Sequence, residues 1–252
     1  MFVGLRDLRR GFRRFVLLGV VVALVGLLST VLSGLATGLV TDGISGLRTL
    51  PLERLAFQPG SDATFSRSTL RDEALVPFAD IDGVEATPLG ASFVNAASSA
   101  GGPSLDLALF GVEADSFLVT RDDARAALAG PPGLVLASEL EDEGVEVGDR
   151  YTLGGSEVEL PVLGCTYAGT YGHAPIGFVA LDTWQRIQFG AGADGRFSAV
   201  ALRGGDGAAL DGAAESAGVD LLTKSQAYAG SPGYSAETMT MSLIRTFLLV
   251  IS

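Results

Sequence analysis

Phe15 to Thr41, FVLLGVVVALVGLLSTVLSGLATGLVT, is a run of 27 residues without a single charge. As a helix it measures roughly 40 Å at about 1.5 Å per residue. A bilayer's hydrocarbon core is about 30 Å thick and takes about 20 apolar residues to cross. A cleaved secretory signal has an apolar core of only about 7–15 residues and a small-x-small cleavage site. The run is longer than that, and no Ala-x-Ala follows it. Arg9-Arg10-Gly11-Phe12 echoes a twin-arginine export signal, but Leu8 stands where Ser or Thr is usual. Residues 15–41 are therefore expected to form a retained transmembrane helix. Arg6, Arg9, Arg10, Arg13 and Arg14 precede it against one acid, Asp7, and Asp42 follows it. Positive charge stays on the cytoplasmic side, which predicts a cytoplasmic N-terminus and an extracytoplasmic chain from Asp42 onward.

Within the span, Gly26, Thr30, Gly34 and Gly38 recur every four residues. Such a ridge permits close approach by another helix in lipid. From residues 1–14 into the span, Leu5, Leu8, Phe12 and Phe15 fall on one helical face with arginines on the other. This predicts an amphipathic elbow lying on the cytoplasmic surface of the lipid bilayer. The charge then reverses. Residues 42–236 carry 11 basic and 27 acidic groups, a net of −16. Nucleic acid is excluded as a partner of that region, because phosphate binding needs basic patches. Cys165 is the only cysteine, so no internal disulfide can form.

Between residues 42 and 236 the sequence reads as a mixed α/β, that is α+β, domain with hairpins. The first helix continues as a stalk to Pro51, and Leu52–Gln58 is a strand. Residues 69–79 form a short helix interrupted at Pro77. Strands Val84–Ala97 and Ser104–Val112 are joined by a turn, with Leu105, Leu107, Leu109 and Phe110 on the buried side. Leu134–Ala137 is a strand, followed by a short helix with a capping box from Ser138 to Glu141. Gly144 ends that helix, and a hairpin over 151–163 follows. Phe178–Leu181 leads into a helix capped by Asp182, with Trp184 and Ile187 inward. Strand 198–202, helix 208–217 and strand 219–223 complete the region. The AGPPG segment at 129–133 marks a candidate boundary between two subdomains. Residues 237–252, ending TFLLVIS, read as the truncated start of a second transmembrane helix.

Chemistry is sparse. No G-x-x-x-x-G-K-[ST] phosphate loop and no G-x-S-x-G nucleophile elbow is present. His173 is the one histidine, which rules out a multi-histidine metal centre. Cys165 and His173 could in principle pair as thiolate and imidazolium. Cys165, however, ends the apolar run VLGC, where a buried inert thiol is expected. The acids Glu139, Glu141, Asp142, Glu143, Glu146 and Asp149 lack the alternating spacing of a calcium loop and read as a solvated face. No catalytic, cofactor-binding or metal-binding residue is nominated, no cofactor is expected, and the chain is expected not to be an enzyme.

Four stretches together resemble the permease subunit of MacB/FtsX-like ABC transporters, especially the DevC-like branch. LRDLRRGFRRFVLLGVVVAL is similar to that family's elbow and first membrane helix. PLERLAFQPG with the PLG at 88–90 resembles the opening of its extracytoplasmic core. VLASELEDEGVEVGDRYTLGG…LPVLG resembles its helix and hairpin module. HAPIGFVALDTWQRI and SLIRTFLLVIS resemble the end of the core and the start of the second membrane helix. The resemblance implies a plasma-membrane permease that partners a separate cytoplasmic ATPase and works as a homodimer or heterodimer. It couples hydrolysis to movement or export outside the membrane. The family has four membrane helices, so the chain is expected to be the N-terminal part of such a permease. The alternative is a complete membrane-tethered binding or sensing domain, and a weaker one is an anchored hydrolase.

Overall fold

The structure is a computed structural model, and it describes residues 12–251 apart from 155, 157, 191, 193 and 194. The elbow expected over 1–14 lies outside these residues up to residue 11. The chain divides into two compact units: Asp42–Ser235, and the helical segments on either side of it.

Helix α1, Phe12–Asp42, contains the apolar run. It is apolar on every face, and a helix of that kind is either a core helix or a membrane span. Its sides are exposed, with Leu17 at 67% and Leu27 at 62%, so it is not a core helix. Val16–Asp42 is long and apolar enough to cross a membrane. Polar groups inside it are satisfied locally: Thr30 Oγ1 donates to Gly26 O and Thr37 Oγ1 to Ser33 O, each at 2.8 Å. A Cβ added at Gly26, Gly34 or Gly38 would meet nothing within 4 Å, so the ridge is bare. At the other end of the chain a helix spans Tyr234–Ile251, running unbroken through the polar segment after Ser235.

The domain between them is the expected α+β fold, built on a ten-stranded sheet. Its central element is the 15-residue strand β3, Val84–Ser98. The other strands are β1 (Arg54–Phe57), β2 (Leu70–Arg71), β4 (Leu105–Val112), β5 (Leu134–Ala137), β6 (Arg150–Leu153) and β7 (Val158–Thr166). They are followed by β8 (Thr170–Tyr171), β9 (Ala174–Ala180), β10 (Arg196–Phe197), β11 (Ala199–Gly204) and β12 (Asp220–Thr223). Of these twelve strands, β2 and β10 stand outside the large sheet and pair with each other as a separate two-stranded sheet. One half of β3 pairs with β11, which continues through β1 to β12 as an open sheet. The other half pairs with β4, and from there the order runs β9, β5, β7, β6. Strand β6 returns to β3 through Ala96↔Leu153 and Ser98↔Tyr151, closing these six strands into a ring. Leu105, Leu107, Leu134, Leu136, Tyr151 and Leu153 fill one buried cluster, as the period-two alternation of the strands requires.

Helices complete the layers. They are α2 (Ser45–Thr49), α3 (Val76–Ala79), α4 (Asp122–Leu128), α5 (Glu139–Asp142), α6 (Leu181–Phe189), α7 (Gly207–Ala217) and α8 (Lys224–Ala227); the helix Tyr234–Ile251, outside the domain from Ala236 onward, is α9. Phe78 of α3 and Leu210 and Ala213 of α7 cover one face of the open sheet with Val200 and Leu202. Trp184 of α6 is fully buried where Gly90 and Gly111 leave room for its indole. A Cβ at either glycine would come within 2.3 or 2.4 Å of it. Its Nε1–H donates to Ser92 Oγ at 3.0 Å.

Several expectations are corrected. The stalk is absent: α1 ends at Asp42, and the separate α2 is drawn into the core, with Leu47 and Leu50 fully buried. Residues 69–79 break into β2, a 3-10 turn at Asp72–Ala74, and α3. Pro77 sits in the first turn of α3, where its missing N–H costs nothing. Ser138 forms no capping box. Its backbone is already helical (φ −64°, ψ −23°), and a cap residue needs an extended backbone. Asp182 does not cap α6, which begins one residue earlier with Ala180 at the cap position. The capping box in this region lies at Thr223 and Gln226, on α8. The AGPPG segment links α4 to β5 inside the single unit Asp42–Ser235.

The Trp184 packing is open to test. Gly111→Ala in the full chain should cost about 1–3 kcal/mol by overpacking. In the Trp184→Ala background it should cost much less. Urea unfolding of the two single variants and the double variant checks this, and additive losses would contradict the packing.

Candidate functional site: the junction of the entering and leaving segments

The residues just after α1 and those just before α9 meet within the domain. The hub is the connection from β7 through β8 to β9, residues 167–173 (YAGTYGH). Gly172 N–H donates to Gly43 O at 2.8 Å. Thr170 N–H donates to Ser45 Oγ at 2.9 Å, and Thr170 Oγ1 to Asp42 O at 2.5 Å. Tyr167 OH donates to Gly46 O at 3.1 Å, and burial pushes that phenol's pKa up. The approach is backbone on backbone. A Cβ at Gly46 would sit 2.4 Å from Ile176 and 2.9 Å from Thr170 O, and one at Gly169 would sit 3.0 Å from the Gly46 Cα. Both residues are therefore glycine for space.

The leaving segment joins the same point. Ser231 Oγ donates to Gly43 O at 3.2 Å in a buried setting. Gly172, at φ +58°, faces Pro232, whose Cδ would lie 3.0 Å from an added Cβ. Lys224, the chain's only lysine, supplies a second tie. Its ammonium donates to Arg48 O and Leu50 O, each at 2.5 Å, and its N–H donates to Glu53 O at 2.9 Å. Arg48 and Leu50 are the last carbonyls of α2 and its cap, acceptors that a helix leaves open at its C-terminal end. Burial, with a smaller contribution from the Arg48 charge, lowers the Lys224 pKa.

Glu139 departs from the solvated face expected of the acidic run. Glu141, Asp142, Glu143 and Glu146 are indeed exposed, but Glu139 is half-buried and accepts from Gly169 N–H at 3.0 and 3.2 Å, holding the hub loop. Among the described residues no three His, Cys, Asp or Glu side chains converge to hold a metal ion. Cys165, on β7, lies beside Glu141. Burial, the hydrogen bond to Glu141 and that carboxylate's charge push the thiol up to about 11, so it stays protonated at neutral pH. His173 sits elsewhere, in the left-handed region (φ +64°), with its ring against Gly43. The sequence signals for this junction are weak: Gly43, Gly46 and Gly169 are ordinary in a chain with 34 glycines.

No protein-family profile and no curated protein matches the chain. Solved structures resemble its fold. One is the extracellular domain of the noncanonic ABC-type transporter YknZ from Gram-positive bacteria, at 13% identity and TM-score 0.46. The match covers 68% of this chain and 98% of that one. Another is the periplasmic region of MacB from Actinobacillus actinomycetemcomitans, at 13% identity and TM-score 0.48, over 74% of this chain and 94% of that one.

Removing the lysine tie should be costly. Lys224→Met leaves two carbonyls without their donor and should destabilise the chain by about 1–3 kcal/mol. Lys224→Arg should restore part of the loss. Denaturant midpoints of the two variants decide it, and a silent Lys224→Met would remove this tie from the junction.

Proposed function

We propose that this chain is a membrane (permease) subunit of an ABC transporter, working with a separate cytoplasmic ATPase. In this reading α1 crosses the plasma membrane with its N-terminus inside, and Asp42–Ser235 lies outside. The observation that carries it is the junction: Gly43 O, just after α1, accepts from Gly172 N–H of the hub loop and from Ser231 Oγ–H of the segment before α9. A displacement of either segment is therefore passed directly into the sheet. The arginine asymmetry around residues 15–41 and the four family-like stretches support the same reading. The chain itself does no covalent chemistry, and the protonated Cys165 takes no part. Its work is mechanical, converting ATPase-driven helix movement into rearrangement outside the membrane, with export as the outcome.

Orientation is checked by labelling intact cells with a membrane-impermeant thiol reagent in a Cys165→Ser background. Ala100→Cys, on an exposed turn, should label from outside, and Gly4→Cys should not. The reverse pattern overturns the reading. A second reading, a tethered binding domain, needs only the anchor α1, which is long and apolar enough to cross a membrane. Co-purification separates the two: a permease retains an ATPase subunit co-expressed from its own genome, and a tether does not.

Pairing of two permease subunits would place the bare ridge of Gly26, Gly34 and Gly38 against a second helix. Gly34→Leu with Gly38→Leu should then weaken cross-linking between subunits while insertion is unchanged. The expected penalty is about 1 kcal/mol at each glycine where the larger side chain holds the helices apart. Unaltered cross-linking would leave the ridge without a role in assembly.

A further inference from the structure

Beside the junction lies a cavity of about 130 Å³. Its walls include the rings of Phe65, Phe93, Phe110 and Tyr171, together with Gly230 and Pro232 of the leaving segment, and no charged side chain lines it. Tyr171 stacks on Phe93 with centroids 5.8 Å apart and planes at 14°, and meets Phe65 edge-on at 5.7 Å. Protein interiors hold few voids larger than a water molecule. An apolar cavity of roughly 150 Å³ stays dry and takes up a benzene molecule. The polar residues of the lining are Thr64, Ser66, Ser92 and Tyr171, and the rest of the wall is apolar or aromatic. An ammonium ion would lose its hydration without gaining a carboxylate. The mouth is open: Phe93 is 48% exposed and Ser66, also on the rim, is exposed.

We propose that this cavity is a binding site for an uncharged apolar group the size of a benzene ring, and that its occupancy is transmitted to the junction. The transmission follows from the shared walls. Tyr171 adjoins Gly172, whose N–H holds Gly43 O at 2.8 Å. A Cβ at Gly172 would lie 3.0 Å from both Phe93 Cζ and Pro232 Cδ. A group seated against Tyr171, Phe93 and Pro232 bears at once on the neighbour of Gly172, which fastens the entering segment, and on Pro232 of the leaving one. Neither the cavity nor the junction depends on the transporter reading.

The test uses the full chain in detergent micelles with fluorobenzene as the probe, read by fluorine NMR. Wild type should bind saturably. Ala108→Leu, which fills the cavity from the buried β4 wall, and Ser66→Trp, which closes the mouth, should each weaken binding at least tenfold. Ser66 is exposed, so its variant remains informative if Ala108→Leu fails to fold. Tetramethylammonium should not compete. Amide exchange at Gly172 should slow several-fold at saturation. Equal uptake by wild type and a folded variant marks mere partition into the micelle and overturns the site, as does competition by tetramethylammonium. Saturable binding with unchanged exchange at Gly172 overturns the transmission.

Discussion

A single backbone oxygen, that of Gly43, accepts hydrogen bonds from Gly172 N–H and Ser231 Oγ–H. A carbonyl has two lone pairs, and here one is used by the hub loop and the other by the leaving segment. The packing around α2 depends on that arrangement. It fixes where α2 begins, and so presses Gly46 against Gly169 and buries Leu47 and Leu50 in the core. A buried acceptor that lost both partners would carry a desolvation penalty of about 1–3 kcal/mol, and either bond alone keeps it satisfied. Lys224 closes the same short helix from its far end.

Local grammar is legible in the sequence, and distant pairing is not. The strand Leu134–Ala137 matches its sequence pattern to the residue, and the hairpins β3–β4 and β6–β7 follow from alternation and glycine turns. The apolar span announces itself by length. The ring is not visible, because the pairing of Ala96 with Leu153 follows from no local pattern. Lys224 bonds to a carbonyl 176 residues away, and no spacing rule reaches so far. The caps show how one signal can mislead. Ser138 with Glu141 and Thr223 with Gln226 are the same motif, yet only the second has the extended backbone (φ −65°, ψ 155°) that lets the hydroxyl accept. The stalk fails for a related reason. Apolar residues after Thr41 look like more helix, whereas Leu47 and Leu50 serve the domain core.

The acidic surface contributes less to cohesion than its charge suggests. Ion pairs such as Arg67–Asp62 and Arg125–Asp122 are exposed on both sides, where such pairs are worth about 0–1 kcal/mol. Arg203 is better placed: it reaches both oxygens of Glu85 across β11 and β3 and lies 4.7 Å from the Phe117 ring. The domain is held mainly by its packed faces, and its net charge of −16 acts on solubility instead.

Lys224 and Ser231 have a consequence for the order of events during synthesis. The segment they fasten, Asp42–Leu50, leaves the ribosome some 180 residues ahead of them. At about 5–20 residues per second that interval is on the order of ten to forty seconds. For that time α2 has neither its lysine cap nor its second bond at Gly43, and its leucines lack part of their cover. The strands between can pair as they emerge, β3 with β4 and β6 with β7. The base of the domain must wait for its last elements. Closure of the base therefore acts as a proof of completeness, since a chain stopped before Ser231 cannot achieve it.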